Sequence, residues 1–202
     1  MVGIPVAVLV ALVIFGGIKR IGYVASRLVP LMVSLYLLAG IFIMITNLEH
    51  IPDILALIFS DAFSGKAAAG GVVGSVIITG VRRASFSNEA GLGTEAMAHG
   101  AAKTSEPVRE GLVAMLGPFI DTIVVCSITG IVILLSGVWQ DNETSGVTLT
   151  TMAFSQELGS MGKSLLLICV FIFSLTTMFG QSYYGSKSVS YTHLTLPTIL
   201  LV

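Results

Sequence analysis

An all-α integral membrane fold is what the sequence predicts, with about five membrane-crossing segments of roughly 20 residues each, one of them discontinuous. Two observations set the class. Hydrophobic residues make up 54% of the 202 and charged residues 10%, with a mean hydropathy of +0.96, against about 45–50% apolar and about 25% charged in soluble domains. The chain also reads as apolar segments joined by polar connections rather than as separate domains. A third observation predicts the discontinuity: Ser87-Asn88-Glu89-Ala90-Gly91-Leu92-Gly93-Thr94-Glu95 is polar and broken by glycine, yet lies between long apolar segments. A helix does not run smoothly through two glycines and two carboxylates inside a bilayer, so something other than lipid must satisfy the freed backbone groups.

The elements follow in order. Ile4 to Ile18 is apolar but spans only 15 residues, short of the roughly 20 that a spanning helix needs, so Met1 is expected to sit inside a helix whose start lies upstream. It does not read as a secretory signal, which would need charges before the apolar run and a small-residue cleavage site where Lys19 and Arg20 follow. Leu28 to Thr46 reads as a full span, Ala67 to Ala102 as the interrupted one, Leu112 to Gly137 as a long span carrying one acid, and Leu165 to Phe179 as an apolar span with a Ser/Thr cluster.

Connection charges orient these segments. Lys19, Arg20 and Arg27 are unopposed by acid, whereas Asn47 to Lys66 carries Glu49, Asp53 and Asp61 against one lysine. Lys103 and Arg109 mark the third connection, Asp141, Glu143 and Glu157 outweigh Lys163 in the fourth, and Lys187 follows the last span. Basic residues set orientation, so the first, third and fifth connections are expected in the cytoplasm, which requires residues 67–102 to cross once. A net charge of -1 lacks the basic footprint of a nucleic-acid binder. Cys126 and Cys169 lie in apolar runs without His or Cys at ligand spacing and read as packing thiols. Trp139, Tyr183 and Tyr184 near span ends read as interface anchors. Asn142-Glu143-Thr144 fits a glycosylation triplet, a pattern too frequent to assign a compartment.

Gly80-Val81-Arg82-Arg83, Ser87 to Gly93, Pro107-Val108-Arg109-Glu110-Gly111-Leu112 and Gly117-Pro118-Phe119-Ile120-Asp121-Thr122 stand in an order that closely resembles the alanine or glycine:cation symporter family. A second block, Thr176 to Lys187, is similar to the segment after that family's large external loop. The resemblance covers roughly residues 5–189. It implies sodium-coupled symport of alanine- or glycine-type small neutral amino acids by alternating access, on a leucine-transporter-type inverted-repeat fold. The chain would hold the end of repeat one, Ile4 to Thr46, and the first three helices of repeat two, without repeat one's own broken helix. In that fold half-helix N-termini and unwound carbonyls face substrate and sodium. A bacterial inner membrane, a multi-pass arrangement, sodium as coupling ion, no organic cofactor and no obligate protein partner are the accompanying expectations.

The candidate site follows from the residues as well. Gly91 and Gly93 permit positive φ or close backbone approach, so a ligand carboxylate finds N–H groups there, while Ser87, Asn88 and Thr94 offer neutral oxygens. The competing reading is that the two glycines let helices pack closely. Glu89 either neutralises a substrate ammonium, lies near a cation, or pairs with Arg82 or Arg83. Glu95 and His99, one helical turn apart, are expected to face a water-filled vestibule. Thr176 and Thr177 are the sodium candidates, hard-cation oxygen ligands weak enough for release, against the alternative that their hydroxyls bond back to their own helix. Ser174 is a weaker third. Asp121, deep in its span, either pairs with a hydroxyl, fixes the broken helix, or joins ion coupling.

Two departures from the family stand out. Gln181 and Ser186 replace an expected tryptophan and glutamate, and residues 190–202, from Tyr191-Thr192-His193 onward, stop matching and read as a non-native adapter- or vector-derived tail, so that 1–189 is the transmembrane part. Three other classes stay open: a proton-coupled carrier or importer subunit, a membrane-embedded enzyme, for which no nucleophile–base pair or metal set is visible, and a fragment that does not transport by itself.

Overall fold

Where the sequence is apolar over 18 residues or more, the structure forms long helices. The computed structural model describes residues 3–63, 72–89, 91–140 and 144–195, and among these every regular element is helical. In chain order they are α1 (Gly3–Ile14), α2 (Gly17–Thr46), α3 (Ile51–Ala62), α4 (Val72–Ser87), α5 (Thr94–His99), α6 (Pro107–Ser136) and α7 (Val147–Ser190). Three of them, α2, α6 and α7, are long and apolar enough to cross a membrane. The sequence reading of about five crossings of roughly 20 residues is met only in part. The helix α1 is apolar but has 12 residues, and α4 stops at the break.

Two boundaries differ from expectation for clear physical reasons. The basic stretch Lys19 to Arg27 is no loop, because nothing between Gly17 and Val29 breaks a helix; it forms the first turns of α2, with the Arg27 guanidinium 4.4 Å above the Tyr23 ring. Pro30 sits inside α2, where its missing N–H leaves the Ser26 carbonyl without its helical donor. The acidic fourth connection is also largely helical: α7 begins at Val147 and turns at Gly159 (φ 64°, ψ -148°) before the apolar run. Residues 141–143, and with them the glycosylation triplet's first two members, lie outside the described residues.

The chain divides into two compact units, Met1–Tyr36 with Leu167–Val202, and Leu37–Leu166. In the first, Ile21, Leu175, Phe179 and Tyr183 form a buried cluster, covered by Val6, Val10 and Val13 of α1. Tyr183 is therefore a core residue rather than an interface anchor, only 8% exposed. Among the described residues its hydroxyl has no hydrogen-bond partner, whereas Cys169, also buried, reaches the Met32 carbonyl at 3.8 Å. Cys126, expected to pack, is exposed.

In the second unit α3 packs on Ser127–Ser136 of α6, and Ile43, Val132 and Phe154 are fully buried. Gly40 on α2 faces Ile128 on α6, and a Cβ at residue 40 would run into the Ile128 Cγ2 methyl. Small residues allow such close helix approach. Gly40→Leu should therefore destabilise the chain by about 1–3 kcal/mol through overpacking, read as a lower melting temperature in detergent. Gly111→Leu, where a Cβ meets open space, is the control expected to melt normally.

Candidate functional site

Three left-handed residues, at positions 89, 91 and 93, make the break. Asn88 is the last residue bonded back into α4, its N–H donating to the Ala84 carbonyl at 2.9 Å. Glu89 then adopts φ 54°, Gly91 φ 77° and Gly93 φ 81°, conformations that glycine takes freely and other residues rarely. The Leu92 N–H closes the turn onto the Glu89 carbonyl at 3.2 Å. Gly93 is the N-cap of α5. Both glycines are exposed, with open space where a Cβ would stand. Close packing against another helix is thus not what requires them among the described residues.

Side chains fasten both ends of the break. The Thr94 hydroxyl donates to Glu89 Oε2 at 2.6 Å, tying the first residue of α5 to the first left-handed residue. Among the described residues Glu89 bonds Thr94 within the break rather than Arg82 or Arg83. Ser87 Oγ donates to Asp121 Oδ2. Next to it, the Thr122 hydroxyl lies 2.8 Å from Asn88 Nδ2 and 3.0 Å from Asn88 Oδ1, accepting from the first and donating to the second. Ser87, Asn88, Glu89, Gly91, Gly93, Thr94 and Asp121 thus gather at one place.

Asp121 and Thr122 reach that place from a π-helical stretch, Ile120–Cys126, in the middle of α6. Its wide turn begins just after Pro118, which withholds its N–H from the Ala114 carbonyl, and runs through a crowd of β-branched residues. Such single π-turns are rare and frequently mark functional sites. The Thr129 hydroxyl donates to the Val125 carbonyl at 2.6 Å, satisfying one acceptor of the stretch. Sequence reading singled out Asp121 but passed over Thr122. The available signal was that Asp121-Thr122 is the one polar dipeptide between Leu112 and Cys126.

Beyond the break, His99 at the end of α5 meets Glu110 at the start of α6, Nδ1 to Oε1 at 2.8 Å. The His99 side chain, expected to face a vestibule, is half-buried and makes this contact. Asn47 Nδ2 donates to Glu157 Oε2 at 2.8 Å, and Gln156 Nε2 to the Ser136 carbonyl at 2.9 Å, two bonds that fasten the arm before Gly159. No group of three or more metal-ligating side chains occurs among the described residues.

Thr176 and Thr177 belong to the other unit, on α7. The Thr176 hydroxyl reaches back to the Ile172 and Phe173 carbonyls at 3.1 and 3.0 Å, and Ser174 reaches Val170 at 2.8 Å. Thr177 is exposed. A back-bonded hydroxyl still carries lone pairs for a cation.

A sequence model of the sodium:alanine symporter family matches residues 1–200. Among curated relatives, an uncharacterized transporter of Haemophilus influenzae is 45% identical over 193 residues, covering 93% of this chain and 42% of its own length. The sodium/alanine symporter AgcS of Methanococcus maripaludis is 42% identical, covering 94% of this chain and 42% of its own length. The probable sodium/glutamine symporter GlnT of Bacillus subtilis is 37% identical, covering 89% and 37%. The chain thus spans about two fifths of the length of the relatives it matches.

Proposed function

We infer function from one premise, that the chain belongs to the sodium:alanine symporter family. Its relatives are transporters rather than enzymes, and its long apolar helices are those of a membrane protein. The reading we propose is that it forms part of a secondary carrier that moves small neutral amino acids with sodium by alternating access. On that reading residues 1–189 contribute the end of one inverted repeat and the first three helices of the next, in a leucine-transporter-type arrangement within the plasma membrane. A relative named for alanine and another named for glutamine support a neutral amino acid as the substrate class rather than alanine alone.

The observation that carries the proposal is the exposed break, with Gly91 and Gly93 left-handed and open on their Cβ side. Backbone amides in such a turn accept close approach by a carboxylate, and unwound segments of this kind line substrate cavities in transporters. Ser87 and Thr94 donate inward and keep lone pairs for a substrate ammonium. Glu89 supplies negative charge beside them.

The test is uptake of radiolabelled L-alanine, glycine, L-serine and L-glutamine by a carrier of full family length that contains these residues, reconstituted into liposomes. An inward sodium gradient should drive accumulation, and replacing sodium with choline should stop it. Accumulation driven by a proton gradient without sodium would favour the proton-coupled alternative. Replacing both Thr176 and Thr177 by Ala should raise the sodium concentration for half-maximal uptake by about 10-fold, the effect of roughly 1.4 kcal/mol of lost ligand contact. An unchanged sodium dependence removes these two residues from the ion site.

A further inference from the structure

The paired side chains behind the break point to a role for α6 that no relative's name assigns. Resting on the reading of the break as a substrate site, we propose that Asp121 and Thr122 are positioning residues: from their π-turn they set the side chains of Ser87 and Asn88, and so the geometry in which the break receives its ligand.

The argument starts from register. Consecutive residues on an α-helix diverge by about 100° and do not face one neighbour together. Here Asp121 and Thr122 are consecutive, and they meet Ser87 and Asn88, which are also consecutive. The π-helical turn makes this possible, because adding a residue to the turn narrows the angle between neighbouring side chains. On the α4 side the same match is available because regular helix ends there, with Glu89 already left-handed.

The chemistry of the two contacts is complementary. Thr122 engages both ends of the Asn88 amide, at 2.8 and 3.0 Å, which fixes the plane of that side chain and not merely its position. Asp121 takes the Ser87 proton donor, so the Ser87 lone pairs are turned away from the carboxylate and toward other donors. A carboxylate deep in an apolar span is costly unless partnered. Among the described residues its hydrogen-bond partner is the Ser87 hydroxyl, not a basic side chain. Retaining such an acid for helix packing alone is a poor solution, since an apolar pair of similar shape would pack as well without the desolvation.

Because Ser87 ends α4 and Asn88 makes the last bond into it, fixing these two side chains also fixes where Glu89, Gly91 and Gly93 begin their left-handed path.

The test uses the full-length carrier in liposomes and whichever of L-alanine, glycine, L-serine or L-glutamine the parent moves fastest, comparing half-saturation concentration with maximal rate. Asp121→Ala and Thr122→Val should each raise the half-saturation concentration about 10-fold. Asp121→Asn, which can still accept from Ser87, and Thr122→Ser should return it to within about threefold of the parent. The double variant Ser87→Ala with Asp121→Ala should be no worse than the poorer single one, because the two residues act as one unit. Lower membrane levels with an unaltered half-saturation concentration would show a purely structural role and overturn the proposal. So would Asp121→Asn proving as damaging as Asp121→Ala together with additive Ser87 and Asp121 effects, since Asp121 would then act without Ser87. If Ser87→Ala and Asn88→Ala both leave half-saturation unchanged, or the parent moves none of the four amino acids, the substrate reading of the break falls and the positioning role falls with it. Effects at Ser87 and Asn88 without effects at Asp121 and Thr122 would remove the positioning role alone.

Discussion

Gly91→Val is expected to abolish amino-acid binding while leaving the amount of carrier in the membrane unchanged. The reason is backbone conformation, not crowding: Gly91 holds φ 77°, and a Cβ there would meet nothing within 4 Å. A left-handed conformation costs an ordinary residue about 1–2 kcal/mol, and a β-branched one is a genuine outlier there. Valine would therefore drive residue 91 out of the left-handed region. The turn from Glu89 to Leu92, closed at 3.2 Å, would open, and the amides of the break would turn away from any bound carboxylate. Binding weakened by about 100-fold or more is the expected size, equal to roughly 2.7 kcal/mol, measured with labelled substrate on detergent-solubilised full-length carrier. Gly91→Asn, whose side chain tolerates the left-handed region, should retain most of the binding. If Gly91→Val binds as the parent does, the glycine serves neither substrate access nor the shape of the turn.

The break was legible in the sequence because its cause is local. Two glycines, Asn88 and paired carboxylates within nine residues cannot continue a helix through lipid, and the structure ends α4 at Ser87 and restarts at Thr94. The long helices were legible for an equally simple reason, since apolar runs near 20 residues have few alternatives. Boundaries were not: Lys19 and Arg20 mark a polar surface, but charge alone does not stop a helix, and α2 runs through them. The arm from Val147 to Leu158 falls within the acidic fourth connection by charge, yet it is helical, since charge alone does not stop a helix.

What stayed hidden depends on contacts far apart in sequence. Thr122 gains meaning only beside Asn88, 34 residues away, and Glu157 only beside Asn47. The π-turn has no single-residue signature; Pro118 hints at an interrupted ladder but not at how the helix repairs it. Tyr183 looked like an interface anchor because aromatic residues at span ends usually are. Its place at the core with Ile21 and Phe179 is set by α1 and α2, which the local sequence does not specify.

Gly162→Ala should lower thermal stability markedly, and by crowding rather than by backbone strain at residue 162. The corner at Gly159 takes φ 64° and ψ -148°, a region open essentially to glycine alone, and it turns the arm back against the residues just after it. As a result the Phe154 carbonyl lies against Gly162, so that a Cβ at residue 162 would run into that carbonyl and stand 2.8 Å from the Leu158 Cβ. A flexible side chain could yield, but a backbone carbonyl yields only if the whole arm moves. Phe154 is fully buried, and the arm also carries Gln156 and Glu157, bonded to the Ser136 carbonyl and to Asn47. Lifting it strains packing and both bonds together. Overpacking of this kind costs about 1–3 kcal/mol, and with the loosened bonds a fall in melting temperature of about 5–10 °C is expected. Gly180→Ala is the matched control: Gly180 lies in the same helix with open space around a Cβ, and the change should be neutral or slightly stabilising. Equal melting of the two variants would mean that the arm does not rest on Gly162. A loss confined to Gly162→Ala, accompanied by loss of protection at the Asn47 and Glu157 amides in hydrogen exchange, would show the two glycines working as one corner, the first allowing the turn and the second allowing it to close.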